Sequence, residues 1–417
     1  MSATEVNTLV PVRDDVKVLC AKIQSQDSTL KLQGVLNERL PNLEQLHLER
    51  VPADGDDAVH APRSEPPYTL RAANLPKLQI LAAVDTIVSL EMPLCRNLRM
   101  LHLEFDDQKK VDRVPLACFL DIMRNCTSLQ SLYEYCYVDA RTPRGTPPPP
   151  VLSLMGHTRL KVLQILEDSD TLSRILSSLI IPASVNLTAA AVVGEKGVLR
   201  DIFPRDRTQL QILQRATKVE ARHTLRDCCL AAHMPGKDSG CLTLELSTTP
   251  EGMRRRERDL LDGTFMHTMI QSLDVFQDCP ARTLCLGGNL AQVRPESWIA
   301  AFDRFPDIEE LQIEDIQDQP GKTLLTLFDA LAVSSNVHRG VVLPRLQTIK
   351  LEGAINQLGL LDAVRSCFTR RAQLGARPLH RMELIPSRDS HRGWTADEVA
   401  RFQRERHTLA KIVELKI

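Results

Sequence analysis

The chain has 417 residues, and its 52 lysine and arginine residues almost balance its 53 aspartate and glutamate residues. A formal net charge of −1 gives no general electrostatic attraction to nucleic acids or anionic membranes. Aromatic residues make up 4% of the chain, too few to favour a stacking surface for bases. No apolar run approaches the roughly 20 residues that a membrane helix needs. The sequence therefore predicts no nucleic-acid partner and no membrane span.

The amino terminus and the cysteines both point to the cell interior. Residues Met1–Val6 have neither a basic start nor an apolar signal segment, so we expect a cytoplasmic or nuclear protein. The 11 cysteines include no Cys-x-x-Cys pair. Five of them lie within or beside apolar segments and are predicted to be reduced thiols of the core: Cys20, Cys118, Cys126, Cys241 and Cys285.

A repeat, apolar-x-x-apolar-x-apolar, can be placed on eleven segments of the chain. Clear copies end at Leu48, Leu103, Ile165, Ile313 and Leu351. Successive copies are 20 to 40 residues apart, as between Ala83 and Leu103, between Leu246 and Leu286, or between Leu384 and Leu415, and most are followed by a helix-like stretch. A strand with one helix cannot bury its apolar side alone, so such units stack. The sequence predicts an α/β fold, an irregular leucine-rich-repeat solenoid in which residues 1–417 form one curved parallel sheet with helices on its convex side.

Other segments are predicted to interrupt or end this array. Residues 53–67 and 139–150 are rich in proline and polar residues and are predicted to be inserted loops. Helices are expected at 115–125 and 323–332, where apolar residues follow helical spacing. Residues 395–417 are expected to form a helix and a strand that cap the array, because solenoids need polar ends. The repeat boundaries are least legible between residues 190 and 240.

No catalytic motif is present. The eleven histidines form no His-x-x-x-His pair, and the chain has neither a Gly-x-Ser-x-Gly elbow nor a Gly-x-Gly-x-x-Gly loop after a strand. We therefore expect no enzyme activity, no cofactor and no metal site.

The candidate site is the open face of the predicted sheet. Residues between and after the leucines of a strand point away from the core, because side chains alternate across a strand. Glutamates outnumber basic residues at these positions, which favours a basic protein partner, although ordinary solvated side chains are the alternative. The predicted protein-binding residues on this concave face are His47, Glu49, His102, Glu104, Tyr133, Tyr135, Glu310, Gln312, Glu314, Lys350 and Glu352.

The segments 40–48, 119–132 and 343–351 resemble the leucine-rich-repeat portion of fungal F-box proteins, especially the large basidiomycete sets. The resemblance implies a protein-binding repeat that serves as the substrate receptor of a ubiquitin ligase. In that family an F-box recruits a Skp-type adaptor, but nothing before Leu40 resembles the Leu-Pro-x-Glu-Leu core of an F-box. The alternative is a structural repeat scaffold with no link to ubiquitin.

The turn after each strand also departs from standard leucine-rich repeats. There an asparagine three residues after the last leucine bonds to the next turn, and here Asn289 takes that position. The predicted substitutes elsewhere are Thr86, Asp106, Asp168 and Ser387.

Overall fold

The computed structural model describes residues 15–23, 26–51, 68–105, 113–140, 149–193, 202–204, 206–223, 228–236, 240–248, 269–288, 290, 293–315, 323–333, 340–353, 360–386, 395–409 and 414–416. These residues group into two compact units. Unit 1 extends to Val192 and includes Ile202–Leu210, and the described residues from Gln211 onwards belong to unit 2. The predicted loop at 53–67 and residues 141–148 of the second predicted loop lie outside the described residues.

Unit 1 alternates strands with helices. Its elements are β1 (Val18–Ile23), α1 (Gln26–Asn37), β2 (Gln45–Arg50), β3 (Tyr68–Leu70), β4 (Ile80–Val84), β5 (Val88–Leu90), α2 (Met92–Cys95), β6 (Met100–Glu104), β7 (Val114–Pro115), α3 (Leu116–Asn125), β8 (Ser131–Tyr135), β9 (Val138–Asp139), β10 (Leu152–Ser153), β11 (Val162–Asp168), α4 (Ser169–Ser177), β12 (Leu179–Ile180) and β13 (Asn186–Val193).

The main sheet of unit 1 is parallel, with the strand order β1-β2-β4-β6-β8-β11-β13. Its register aligns the repeats, because the second apolar position of each copy pairs with that of the next. This row is at most 1% exposed and consists of Leu46, Leu81, Leu101, Leu132, Leu163 and Leu187. The predicted strands ending at Leu48, Leu103 and Ile165 are therefore confirmed as parallel strands of one sheet.

Local sequence explains where the helices of unit 1 begin and what they bury. α3 buries Leu116, Phe119, Leu120 and Met123, which recur every three or four residues and so share one face. α4 begins after Asp168, whose carboxylate accepts a hydrogen bond from the backbone N–H of Thr171 at 3.0 Å. This cap satisfies a helix donor that has no intrahelical partner.

A second set of short parallel pairs follows the main strands of unit 1. β3 pairs with β5, β7 with β9, and β10 with β12. Each pair joins segments from neighbouring repeats, so the turns between repeats also hydrogen-bond to one another. Of the predicted asparagine substitutes, Thr86 donates to the backbone carbonyl of Val84 at 3.0 Å, and Asp168 is the cap of α4. Asn289 and the other two substitutes, Asp106 and Ser387, lie outside the described residues.

Unit 2 has a similar sequence of elements after an all-strand beginning. They are β14 (Lys218–His223), β15 (Cys228–His233), β16 (Cys241–Thr248), β17 (Thr283–Gly288), α5 (Pro295–Phe302), β18 (Glu310–Asp315), α6 (Thr323–Leu331), β19 (Thr348–Gly353), α7 (Leu360–Gln373), β20 (Arg381–Pro386), α8 (Ala396–Leu409) and β21 (Glu414–Lys416). The predicted helices at 323–332 and from 395, and the strand near 412–417, thus form within a few residues of the expected bounds.

The strand order in unit 2 is β16-β15-β14-β17-β18-β19-β20-β21. From β14 through β17 to β21 all neighbouring strands are parallel, including β18 and β19, which end the predicted copies at Ile313 and Leu351. β15 runs antiparallel to both β14 and β16, so these three strands form a meander rather than helix-linked repeats. An α/β fold with mostly parallel sheets is confirmed.

Two predicted repeat ends are displaced by two residues. The row of Leu286 continues through Ala221 and Leu230 to Leu244, not to Leu246. At the other edge Leu415 pairs with Met382 rather than with Leu384. In both segments more than one apolar residue fits the repeat, so the sequence pattern alone left the register ambiguous.

A buried arginine holds part of unit 2 together. Arg371 of α7 is 1% exposed, and its guanidinium donates to the carbonyls of Leu331 at 2.9 Å, Val342 at 2.6 Å and Leu343 at 2.8 Å. Leu343 has a φ of 48°, a left-handed conformation that costs energy for a residue with a branched side chain. The arginine thus satisfies carbonyls at the end of α6 and in the strained turn before β19.

The prediction that five cysteines belong to the core is correct for some of them and wrong for others. Cys126 and Cys285 are buried thiols as predicted, whereas Cys20 and Cys118 are exposed and Cys241 is half-buried. Cys20 lies on the open face of β1, where the alternation of the strand directs it away from the core. None of the described helices is long and apolar enough to cross a membrane.

The alternation of buried and exposed side chains predicts that truncating adjacent residues of β19 costs very different amounts of stability. Ile349 is 0% exposed, so Ile349→Ala should lower the free energy of unfolding of unit 2 by about 2–5 kcal/mol through lost burial and a cavity. Lys350 is the next residue of the same strand and lies on the open face, where it forms an ion pair with Glu352 at 3.5 Å. Lys350→Ala should cost at most about 1 kcal/mol. Urea unfolding followed by tryptophan fluorescence, with Trp298 buried in unit 2, measures both; equal losses would contradict the register.

A candidate protein-binding face

The predicted site residues all lie on the open face of their strands, alternating with the buried rows. They fall into two groups, one in each unit. His47, Glu49, His102, Glu104, Tyr133 and Tyr135 belong to unit 1, and Glu310, Gln312, Glu314, Lys350 and Glu352 belong to unit 2. The two groups differ in chemistry, so each is described by itself.

In unit 1 the structure brings four of these residues into one cluster on β6 and β8. His102 pairs in register with Tyr133, and Glu104 pairs with Tyr135. The imidazole centroid of His102 lies 5.9 Å from the ring centroid of Tyr133 and 5.3 Å from that of Tyr135, the latter edge to face. Nε2 of His102 is 2.9 Å from Oε2 of Glu104. Aromatic pairs with this spacing stabilise one another, so the cluster is held in place before any partner binds.

The surroundings of the cluster are apolar. The open-face positions of β4, β6, β8 and β11 are Ile80, Ala82, Val84, Met100, His102, Glu104, Ser131, Tyr133, Tyr135, Val162, Gln164, Leu166 and Asp168. They include no lysine or arginine and two carboxylates, of which Glu104 lies beside the rings and Asp168 lies at the end of β11, where it caps α4. We call the central members Val84, His102, Glu104, Tyr133, Tyr135 and Leu166 the tyrosine patch.

His47 and Glu49 lie two strands away from the cluster, beyond β4. Ala82 and Val84 stand between them and the pair His102 and Glu104 in the register. Glu49 forms an ion pair with Lys22 of β1 at 3.3 Å. These two predicted residues therefore border the tyrosine patch but do not contact its rings.

The open face of unit 2 is a network of paired charges. Lys218 and Arg222 are 3.2 Å and 2.6 Å from the carboxylate of Glu220, and Arg222 also reaches Glu314 at 3.4 Å. Lys350 pairs with Glu352, Arg381 with Glu383, and the amide of Gln312 donates to Glu310 at 2.7 Å. The excess of glutamates in the sequence is thus largely offset by basic side chains, most of them two residues away on the same strand.

A small, shallow depression lies within this network. Gly287 of β17 forms part of its wall, and a Cβ at this position would lie 3.3 Å from the side chain of Arg222 and 3.5 Å from that of Glu314. The glycine therefore leaves room for the ion pair that crosses it. The thiol of Cys285 donates to Gln312 at 3.2 Å, and burial raises the pKa of this thiol to about 11, so it is not a reactive thiolate.

Beneath the tyrosine patch lies a buried pair of carboxyl groups that the sequence analysis missed. Glu134 lies between Tyr133 and Tyr135 on β8 but points inward, in a position that the repeat gives to an apolar residue, and it is 0% exposed. Its Oε1 accepts from the backbone N–H of Tyr137 at 2.8 Å. The equally buried Glu167 accepts from the N–H of Val138 at 2.9 Å. The two glutamates thus hold the turn that follows the patch.

We expect this pair to share a proton. None of the described N–H or O–H groups donates to Oε2 of Glu134, and the neighbouring carboxyl is Glu167, which also pairs with Arg113 at 2.9 Å. Burial, followed by the charge of Glu167, raises the pKa of Glu134 well above its ordinary value. Burial also raises the pKa of Glu167, to about 6. Two carboxyl groups in contact cannot both ionise, so Glu134 carries the proton and Glu167 faces the arginine.

A comparison of the chain with models of known protein families finds no match. A search of curated proteins finds no significant match either. Among the described residues, no group of three or more histidine, cysteine, aspartate or glutamate side chains is arranged to hold a metal ion.

The buried pair predicts that unit 1 loses stability as the pH rises. Because the folded carboxyls hold their protons more tightly than those of the unfolded chain, the free energy of unfolding should fall from about pH 4.5 upward. We expect a loss of about 1–3 kcal/mol by pH 8. Glu134→Gln should flatten this dependence, because the amide N–H of glutamine replaces the shared proton.

The measurement is the urea concentration at which the segments of β8 and β11 are half unfolded, at several values between pH 5 and pH 8. Pulsed hydrogen exchange with mass spectrometry of the peptides from these two strands reports it. Glu49→Gln, a change at a partly exposed glutamate of the same sheet, is the matched control and should leave the dependence as in the parent. A Glu134→Gln chain with the parental pH dependence would show that the pair does not share a proton.

Proposed function

We propose that the chain is a protein-interaction module and that the tyrosine patch of unit 1 is its binding face. The observation that carries this proposal is a cluster of two tyrosines, a histidine and one carboxylate, partly exposed within an apolar surface. Tyrosine residues at the centre of an interface often contribute much of the binding energy, because they bury a large area and lose little rotamer freedom.

The backbone beneath the patch supports this use. Each patch residue alternates with a side chain that is at most 1% exposed, so the strands cannot shift by one residue without exposing the core. The patch is therefore rigid before a partner binds, which lowers the entropy cost of association. In unit 2 the charges already satisfy one another, and a partner would have to displace these ion pairs.

We further propose that the repeats form the irregular leucine-rich-repeat solenoid expected from the sequence, with a curved sheet and helices on its convex side. The in-register alignment of the leucine rows within each unit supports it. A role as the substrate receptor of an F-box-type ubiquitin ligase is a narrower proposal, supported by the resemblance of segments 40–48, 119–132 and 343–351. Co-purification with a Skp-type adaptor would test it.

The second candidate is a repeat scaffold that offers no specific binding face. The paired charges on the open face of unit 2 favour it for that part of the chain, because a surface whose ion pairs are complete needs no partner. Both candidates predict a stable fold, so a binding experiment is needed to separate them.

The test is a selection of peptides from a random library on the whole chain. Replacement of both Tyr133 and Tyr135 by serine should lower the affinity of the selected peptides for the chain about tenfold or more, as expected for loss of central aromatic contacts. Replacement of Gln312 and Lys350 by serine, on the open face of unit 2, is the matched control and should change their affinity little. Peptides that bind the tyrosine variant as tightly as the parent, or a library without binders, would favour the scaffold.

A further inference from the structure

We propose that the tyrosine patch binds an arginine side chain of the partner, with the guanidinium held by the carboxylate of Glu104 and the rings of Tyr133 and Tyr135. This inference rests on the proposed function and adds the chemistry of the group that is recognised. It is carried by three features of the described residues, namely the charge, the rings and the orientation of the carboxylate.

The first feature is a carboxylate in an apolar setting that has no lysine or arginine partner among the described residues. Glu104 and Asp168 are the charged residues among the thirteen open-face positions of β4, β6, β8 and β11, and Asp168 lies at the end of β11, where it caps α4 and is 3.9 Å from Arg113. In contrast, carboxylates of the unit 2 face such as Glu220 and Glu352 lie within 3.5 Å of a lysine or arginine nitrogen. A partner that covers the patch would remove water from Glu104, and burying a carboxylate that has no lysine or arginine partner is costly. The complementary group is therefore a cation.

The second feature is the aromatic surface beside this charge. Tyr135 is directly opposite Glu104 in the register, and Tyr133 is opposite His102. Burial, followed by the charge of Glu104, raises the pKa of Tyr135. A cation near a tyrosine ring is attracted by its negative face, and a planar guanidinium can stack on the ring as well.

The third feature is the fixed orientation of the carboxylate. The imidazole of His102 is 2.9 Å from Oε2 of Glu104 and is packed edge to face against Tyr135. This contact holds the carboxylate beside the tyrosine rings, where the planar, forked donors of arginine fit better than the single ammonium of lysine. An arginine can place two N–H groups toward a carboxylate while its flat face lies along a ring.

The experiment uses the whole chain with isotope-labelled tyrosine rings. The probe is N-acetyl-arginine methylamide, and the matched probes are N-acetyl-lysine methylamide and the neutral N-acetyl-citrulline methylamide. The chain has four tyrosines. Tyr133 and Tyr135 report on the patch, whereas Tyr68 and Tyr137 are 5% and 0% exposed and serve as internal controls.

We expect the arginine probe to shift the ring resonances of Tyr133 and Tyr135 saturably and to leave those of Tyr68 and Tyr137 unchanged. The lysine and citrulline probes should bind several-fold more weakly. Glu104→Gln should weaken the arginine probe by on the order of tenfold, the loss expected for a hydrogen bond to a charged group. Glu314→Gln, the matched change on the open face of unit 2, should have no effect.

The inference is overturned if lysine binds as well as arginine, if Glu104→Gln does not weaken binding, or if the arginine probe shifts neither ring. Unchanged resonances of Tyr68 and Tyr137 in the Glu104→Gln chain establish that it is folded. If the selected peptides still need Tyr133 and Tyr135 for binding while the arginine probe does not bind, the tyrosine patch is the binding face but does not recognise arginine. If the peptides also bind without these tyrosines, the proposed function is wrong as well.

Discussion

The parallel strands of both units bury every second side chain, and the other features of the structure depend on this one-sided burial. The rows that contain Leu101 in unit 1 and Ile349 in unit 2 are at most 1% exposed. Removing several large apolar side chains from water stabilises each row by roughly 1.5–3 kcal/mol per residue. A slip of one residue would turn a whole row to solvent, so the same rows that hold the fold also decide which side chains form the open face.

Glu134 shows what this constraint permits at a cost. It occupies an inward position of β8, where the repeat predicts an apolar residue, and it is tolerated because the backbone N–H of Tyr137 and the carboxyl of Glu167 satisfy it. The two glutamates hold the turn after β8, in which Cys136 has a φ of 54°. The tyrosine patch therefore rests on a polar layer whose protonation depends on pH.

Much of the fold could be predicted from the sequence, because the period of two within strands and the helical spacing of residues such as Phe119 and Met123 are local. The reversal of β15 could not, since both directions of a strand bury the same alternate residues. The eleven site residues were placed on the open face correctly, but their partners were not foreseen. Whether a glutamate faces a lysine or a tyrosine depends on register across the sheet, as with Arg222 and Glu314 or Glu104 and Tyr135.

The most direct test of the account is the reactivity of the four tyrosines toward nitration in the native chain, measured by mass spectrometry. The alternation places Tyr133 and Tyr135 on the open face, while Tyr68 is buried and Tyr137 is stacked on Phe105 at 4.9 Å and 0% exposed. We expect Tyr133 and Tyr135 to be nitrated while Tyr68 and Tyr137 remain protected until the chain unfolds. Nitration of Tyr137 as fast as that of Tyr135 in the folded chain would contradict both the register and the binding face built on it.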